Sequence, residues 1–339
     1  MKHLNTYITE YIIKKKLDKP IDSEDHYKYF PETKQELINN VKELLFDKDE
    51  TNLNCIDTSN IIDMSNLFET LNISINIDIS EWDVSNVTNM SNMFYCCQEF
   101  NCDLSKWNVS KVKNMHSMFL KCKNFDCDLS EWDVSNVTNM KYMFCNCINF
   151  TGKGLNNWDV SKVENIGSMF YGCKKFDCDL SNWNVSNVQI MDGLFVYCDN
   201  LDLDLSKWDV SNATDMSYMF SGCINFDCDF SNWDVSNVKN MSGMFNDCGN
   251  FKGKGLENWN TRKVTDMQYM FCKCSSFDGK SIENWDVSNV ENISYMFDYC
   301  TSLNCNLNNW NVSKVKKKIG VFQGTKGIKN KTSWYKTLK

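Results

Sequence analysis

From Leu104 to Phe125 the apolar positions are Leu104, Trp107, Val109, Val112, Met115, Met118, Phe119, Cys122 and Phe125, separated mainly by Ser, Asn and Lys. The two-residue step from Trp107 to Val109 has the period of a strand with one face inward, so L-x-x-W-x-V predicts a short strand. The following M-x-x-M-F-x-x-C-x-x-F advances by three and four residues. That spacing predicts a short helical or 3₁₀ segment on the opposite side of the same coil. A unit this small buries neither face alone; stacked copies bury both.

The copies are present. W-D-V-S-N-V-T-N-M-S-N-M-F, from Trp82 to Phe94, returns from Trp132 to Phe144 as W-D-V-S-N-V-T-N-M-K-Y-M-F. Tryptophan marks the repeat at Trp82, Trp107, Trp132, Trp158, Trp183, Trp208, Trp233, Trp259, Trp285 and Trp310, in steps of 25 or 26 residues. Ile56 takes that place in a first, imperfect turn. Each longer step adds its residue between Phe and Trp and brings a glycine, as in F-T-G-K-G-L-N-N-W from Phe150, which suits a widened turn needing positive φ. The expected architecture is a repeat solenoid, leucine-rich-repeat-like, with short parallel strands on one side, short helical or 3₁₀ segments on the other, and the tryptophans as an internal ladder.

Residues 1–52 read as an N-terminal helical segment and cap, 53–325 as a solenoid of about eleven coils, and 326–339 as a basic C-terminal tail or cap. In the first part, Thr33 to Glu36 fits a capping box, and Leu37, Ile38, Val41, Leu44 and Leu45 form an apolar helix stripe that would close the first coil. A second short helix is expected within residues 1–20. From Lys314 onward there are nine lysines and no acidic residue, with Phe322, Trp334 and Tyr335 interspersed; a cap whose lysines face water is favoured over an anion contact.

Composition narrows the chemistry. A net charge of -8 with 24% charged residues provides no general attraction to nucleic acid, and no nucleic-acid partner is expected. No apolar run approaches the roughly 20 residues of a membrane helix. The first residues make a poor signal peptide, which points to the cytoplasm for the chain as given. Nine of the 18 cysteines fall in phase, at Cys97, Cys122, Cys147, Cys173, Cys198, Cys223, Cys248, Cys274 and Cys300, so they read as small buried hydrophobes with free thiols. A second partial column, Cys102, Cys127, Cys178, Cys228 and Cys305, lies beside aspartates and reads as more exposed.

Catalytic, cofactor and metal sites are not expected. The three histidines, His3, His26 and His116, stand alone in sequence, and no phosphate loop, nucleophile elbow or dinucleotide fingerprint occurs. Cys145 with Cys147 and Cys272 with Cys274 each lack the second pair that a zinc site needs. The acidic residues after Trp recur too regularly to form one unique acid–base centre.

If Leu104, Trp107 and Val109 point inward, alternation turns their neighbours outward. The face so defined carries Lys106 and Asn108, Glu131 and Asp133, Asn157 and Asp159, Asn182 and Asn184, Lys207 and Asp209, and Asn232 and Asp234. These twelve are the candidate protein-binding residues. Tyr95, Tyr171 and Tyr197, in the other half of the repeat, define a competing surface with aromatic anchors.

The unit L-S-x-W-D-V-S-N-V-x-N-M-x-x-M-F-x-x-C-x-x-F resembles the repeats of BspA-like surface proteins, specifically their Mycoplasma-type branch, over about residues 53–325. Its second half is similar to that family's I-G-x-x-A-F-x-x-C-x-x-L. The resemblance implies a leucine-rich-repeat-like solenoid and a surface or secreted protein engaged in adhesion or host-protein binding. The function expected is therefore a non-enzymatic protein-binding scaffold with a protein ligand and no cofactor, a structural spacer being the alternative. The chain is expected as a monomer, with side-by-side association left open.

Overall fold

A computed structural model describes residues 26–71, 75–325 and 333–337. The helix expected within residues 1–20 lies outside them. The chain winds as a stack of coils, each returning to the same angular position after 25 or 26 residues, so the molecule is a repeat solenoid.

The elements of the coil differ from the expected strand and helix. Isolated parallel bridges run through Asp63, Asn89, Asn114, Asn139, Asn165, Ile190, Asp215, Asn240, Asp266, Asn292 and Lys317, one residue per coil. They lie beyond the predicted L-x-x-W-x-V strand. That stretch is two β-turns, closed by the Trp107 N–H on the Leu104 carbonyl at 3.0 Å and the Val112 N–H on the Val109 carbonyl at 2.9 Å. Leu104, Trp107 and Val109 are buried as expected, with a three-residue turn on each side of the two-residue step from Trp107 to Val109.

The Met–Phe–Cys half is not helical either. The N–H groups of Met115, Ser117, Phe119 and Lys121 donate across to the next coil at 2.8–3.0 Å, while those of Met118, Leu120 and Cys122 close β-turns within their own coil. His116 N–H is taken by the Asn114 side chain, so every backbone donor of this stretch is satisfied without a helix. Ser117 and Lys121 adopt φ of 55° and 65°, which an α-helix forbids. An apolar pattern of i, i+3, i+4 follows from helical pitch and equally from consecutive turns.

The interior is aromatic. The Phe ladder runs from Phe68 through Phe94, Phe119 and their equivalents to Phe322, with near-parallel rings whose centroids lie 5.2–6.1 Å apart. All ten repeat tryptophans are buried beside it. Trp132 stacks on Trp158 at 6.3 Å and Trp259 on Trp285 at 5.9 Å. Fully burying such side chains stabilises by about 1.5–3 kcal/mol each, so the stack is held mainly by this column.

In the 26-residue coils the added residue sits in a turn entered by Gly154, Gly255 or Gly279, at φ of 91°, 88° and 79°. A short 3₁₀ turn follows each: Leu155–Asn157, Leu256–Asn258 and Lys280–Ile282.

Both described ends of the stack are covered. Helix α1, Lys34–Lys42, starts at a capping box formed by Thr33 and Glu36, and continues into a wider turn over Glu43–Asp47. Its Leu37 and Val41 are fully buried with Leu44 and Leu45, and Ile38 packs at their margin. Before it, Tyr29 bridges to Ile56 of the first turn. At the other end the short helix α2, Ser333–Thr337, places Trp334 on Trp310 at 6.3 Å with rings 4° from parallel.

Candidate protein-binding surface

The polar half of the consensus builds turns. In the coil from Asp103, three side chains accept the N–H two residues ahead: Asp103 from Ser105 at 2.9 Å, Asn108 from Ser110 at 3.2 Å and Asn114 from His116 at 3.1 Å. The same bonds recur in the other coils. They explain why D/N-x-S reappears with such regularity.

All twelve candidate binding residues are exposed, and they form two columns with different roles. Asn108, Asp133, Asp159, Asn184, Asp209 and Asp234 are the turn acceptors, each bonded to the N–H of the serine two residues on. Those bonds, from side chain and backbone of Ser161 and Ser211, hold the Asp159 and Asp209 carboxyls below the ordinary range. These six therefore hold the frame as well as facing outward. Lys106, Glu131, Asn157, Asn182, Lys207 and Asn232 form the other column, and their identity changes from coil to coil.

The Ser-Asn pairs that recur through the sequence, as at Ser135 and Asn136 or Ser211 and Asn212, lead one to expect side-chain bonds running from coil to coil, and the asparagines make them. Asn136 donates from its amide to the Ser110 carbonyl of the preceding coil at 2.9 Å, and Lys162 donates to the Asn136 amide oxygen at 2.8 Å. Asn212 and Asn237 repeat the first contact at 2.7 Å. In the sequence this column shows as the recurring S-N step, with S-K in its place in some coils.

The competing tyrosines lie on turns, not on a helix. Tyr95 is half-buried, with the Lys121 ammonium 5.7 Å from its ring centre. Tyr171 meets Tyr197 edge to face at 6.0 Å. Tyr197 is itself at φ 56° and remains 47% exposed. A Cβ on Gly222 in the following coil would lie 2.3 Å from its ring, so that glycine makes room for it.

The cysteines are tied to the frame. In the main column each thiol from Cys122 to Cys300 donates to the Phe carbonyl one coil back, at 2.7–3.1 Å. Burial pushes the Cys223 thiol up to about 12 and the Cys147 thiol well above its ordinary value. The second column is the more exposed of the two, as expected, but only slightly: Cys102, Cys127, Cys228 and Cys305 are still buried, and Cys178 is half-buried. Their sulfurs lie against turn backbone, as where Cys127 Sγ accepts the Leu104 N–H at 3.2 Å. Among the described residues all the cysteines are free thiols, and no His, Cys, Asp or Glu side chains gather as a metal site. His116 is half-buried beside Tyr142, and burial lowers its pKa. Among the described residues no helix is long and apolar enough to cross a membrane.

The family described as "Mycoplasma protein of unknown function, DUF285" matches this sequence over residues 36–154, 141–256 and 240–339. The chain belongs to this family. The DUF285 matches are successive, and each takes in several of the coils described above. No curated protein matches the chain. Among solved structures, "Crystal structure of TLR13-ssRNA13 complex" is similar at 13% identity and a TM-score of 0.25, covering 90% of this chain and 54% of that one. The DUF285 chain thus spans about half the length of that neighbour, too loose a superposition to define its shape.

Proposed function

We propose that this solenoid is a non-enzymatic protein-binding scaffold that presents a variable polar column on a fixed frame. One observation carries the reading: the consensus polar residues are consumed in turns, whereas the exposed column of Lys106, Glu131, Asn157, Asn182, Lys207 and Asn232 varies in charge at constant geometry. Side chains that differ on a rigid support give a partner something to distinguish, at little conformational cost to the scaffold. The surface location and adhesive role of the BspA-like proteins form part of this proposal, with a host or neighbouring protein as ligand.

The test uses the intact chain to capture partners and charge-reversed variants to map them. Lys106→Glu, Glu131→Lys and Lys207→Glu together should weaken capture while circular dichroism and melting stay near wild type. Asp209 is left out because its reversal would also remove a turn bond. Capture unaffected by these changes but lost with Tyr95, Tyr171 and Tyr197 replaced by serine would move the site to the tyrosines. If neither set matters and no partner is retained, a spacer is the better description.

A further inference from the structure

One coil breaks the consensus. Where the others carry W-D/N-V-S, the coil from Trp259 reads W-N-T-R, and Arg262 is the one arginine in 339 residues. Thr261 has the valine's place, is buried, and donates its hydroxyl to the Asp286 carbonyl at 2.9 Å. The substitution of serine by Arg262 leaves a guanidinium in a column otherwise made of short side chains.

Arg262 lines an open cleft of about 720 Å³ with Lys239, Lys263, Lys314, Asn289 and Glu291. Lys263 donates to the Asn237 amide oxygen at 2.6 Å and Lys314 to that of Asn289 at 2.5 Å. Neutral amides hold these ammonium groups in place without cancelling their charge. Glu291 is occupied by Lys316 at 2.9 Å. Asp286 lies near enough to Arg262 to feel its charge, although its own turn bonds from Ser288 act on it more strongly. Among the described residues no carboxylate lies within ion-pair distance of Lys239 or Arg262.

Four cations in a hollow call for an anionic occupant, and the cleft wall narrows its chemistry. No aromatic ring lines the cleft, so nucleic-acid bases would find no surface to stack on. Ser, Thr and Asn side chains supply the donors and acceptors that a peptide backbone uses. Arginine's planar fork matches a carboxylate with two parallel hydrogen bonds. We infer that this cleft binds an extended acidic segment of a partner protein, with its carboxylates on Arg262 and Lys239. This inference rests on the protein-binding reading and adds to the variable column a second contact surface with its own partner chemistry.

The experiment titrates the full chain with a fluorescent capped hexaglutamate, against capped hexaglutamine, single-stranded oligonucleotide and inorganic phosphate. The variants Arg262→Ser and Lys239→Thr place residues that equivalent positions already carry, which guards the fold. Hexaglutamate should bind, weaken with added salt, and lose at least about tenfold in affinity in the double variant. Lys123→Glu with Lys174→Glu, exposed lysines away from the cleft, should leave it unchanged. Absent binding, equal binding by the double variant, or tighter binding of the oligonucleotide or phosphate would overturn the inference. Loss of protein capture in the Lys106, Glu131 and Lys207 variant, with no hexaglutamate binding, would overturn the cleft and leave the scaffold standing; hexaglutamate binding lost in the double variant supports the cleft even where that capture fails.

Discussion

Cys147 Sγ donates to the Phe119 carbonyl one coil back at 2.9 Å, and the same oxygen accepts the Cys122 N–H of its own coil at 2.9 Å. Trp132 repeats the arrangement, its Nε1–H meeting the Leu104 carbonyl that already closes a turn with Trp107. Turn carbonyls aimed along the solenoid axis therefore bind two partners, one of them a side chain from the next coil. At the end of the stack Thr325 and Trp334 take the Cys and Trp places and bond Phe297 and Leu307.

Cys147→Ala should lower stability by about 1–2 kcal/mol, through the lost donor and a small cavity. Cys147→Ser keeps a donor and should cost less if the bond matters more than the volume. Urea melts of both variants, with amide exchange at Phe119 and Cys122, separate the two contributions.

Alkaline pH should destabilise the fold. The thiol is the neutral form, and burial raises its pKa when folded, to about 12 at Cys97 and Cys223. An unfolded thiol ionises nearer 8.5, so the folded chain holds protons that the unfolded chain releases. Stability is fully present below the unfolded value and is lost as pH rises toward 12. Melting temperature followed across that range should fall, and less steeply with Cys147 and Cys223 replaced by alanine. Below pH 8 the native column should resist iodoacetamide while the denatured chain is fully alkylated.

Trp132→Ala should cost about 3–5 kcal/mol, because the indole fills the core between Phe119 and Trp158. Trp132→Phe should cost less, since it retains an apolar ring but leaves the Leu104 carbonyl with only its turn partner. A urea midpoint for Trp132→Phe close to wild type would show that the indole bond contributes little beyond the ring, and one equal to that of Trp132→Ala would show that a retained ring recovers nothing.

Gly255→Ala tests the widened turn. Its φ is 88°, and an added Cβ would lie 2.2 Å from the Ser231 backbone nitrogen. The change should destabilise by about 2 kcal/mol or more, and displace the coil from Trp259. Gly249→Ala, whose Cβ meets nothing nearer than 3.6 Å, should stay within about 0.5 kcal/mol.

The sequence by itself determined the period, the inward residues and the stacking. Trp, Phe, Met and Cys recur at fixed spacing, and only neighbouring copies can cover them all. It also marked the widened turns, since their glycines accompany the inserted residue, and the capping box from Thr33 to Glu36, a local motif. The form of the backbone was decided by tertiary structure. Apolar spacing reports which side chains face inward, and a helix or a run of turns satisfies M-x-x-M-F equally. Gly193, Gly243 and Gly320, with Gly172, Gly222 and Gly324, hinted at turns by recurring where a helix would be continuous. The division of the exposed face into turn-making Asp133 and Asp209 and the variable Glu131 and Lys207 depends on local bonds that alternation does not describe. The meeting of Lys239, Arg262 and Lys314 depends on the stack itself, which brings together residues up to 75 positions apart by laying equivalent sites of successive coils side by side.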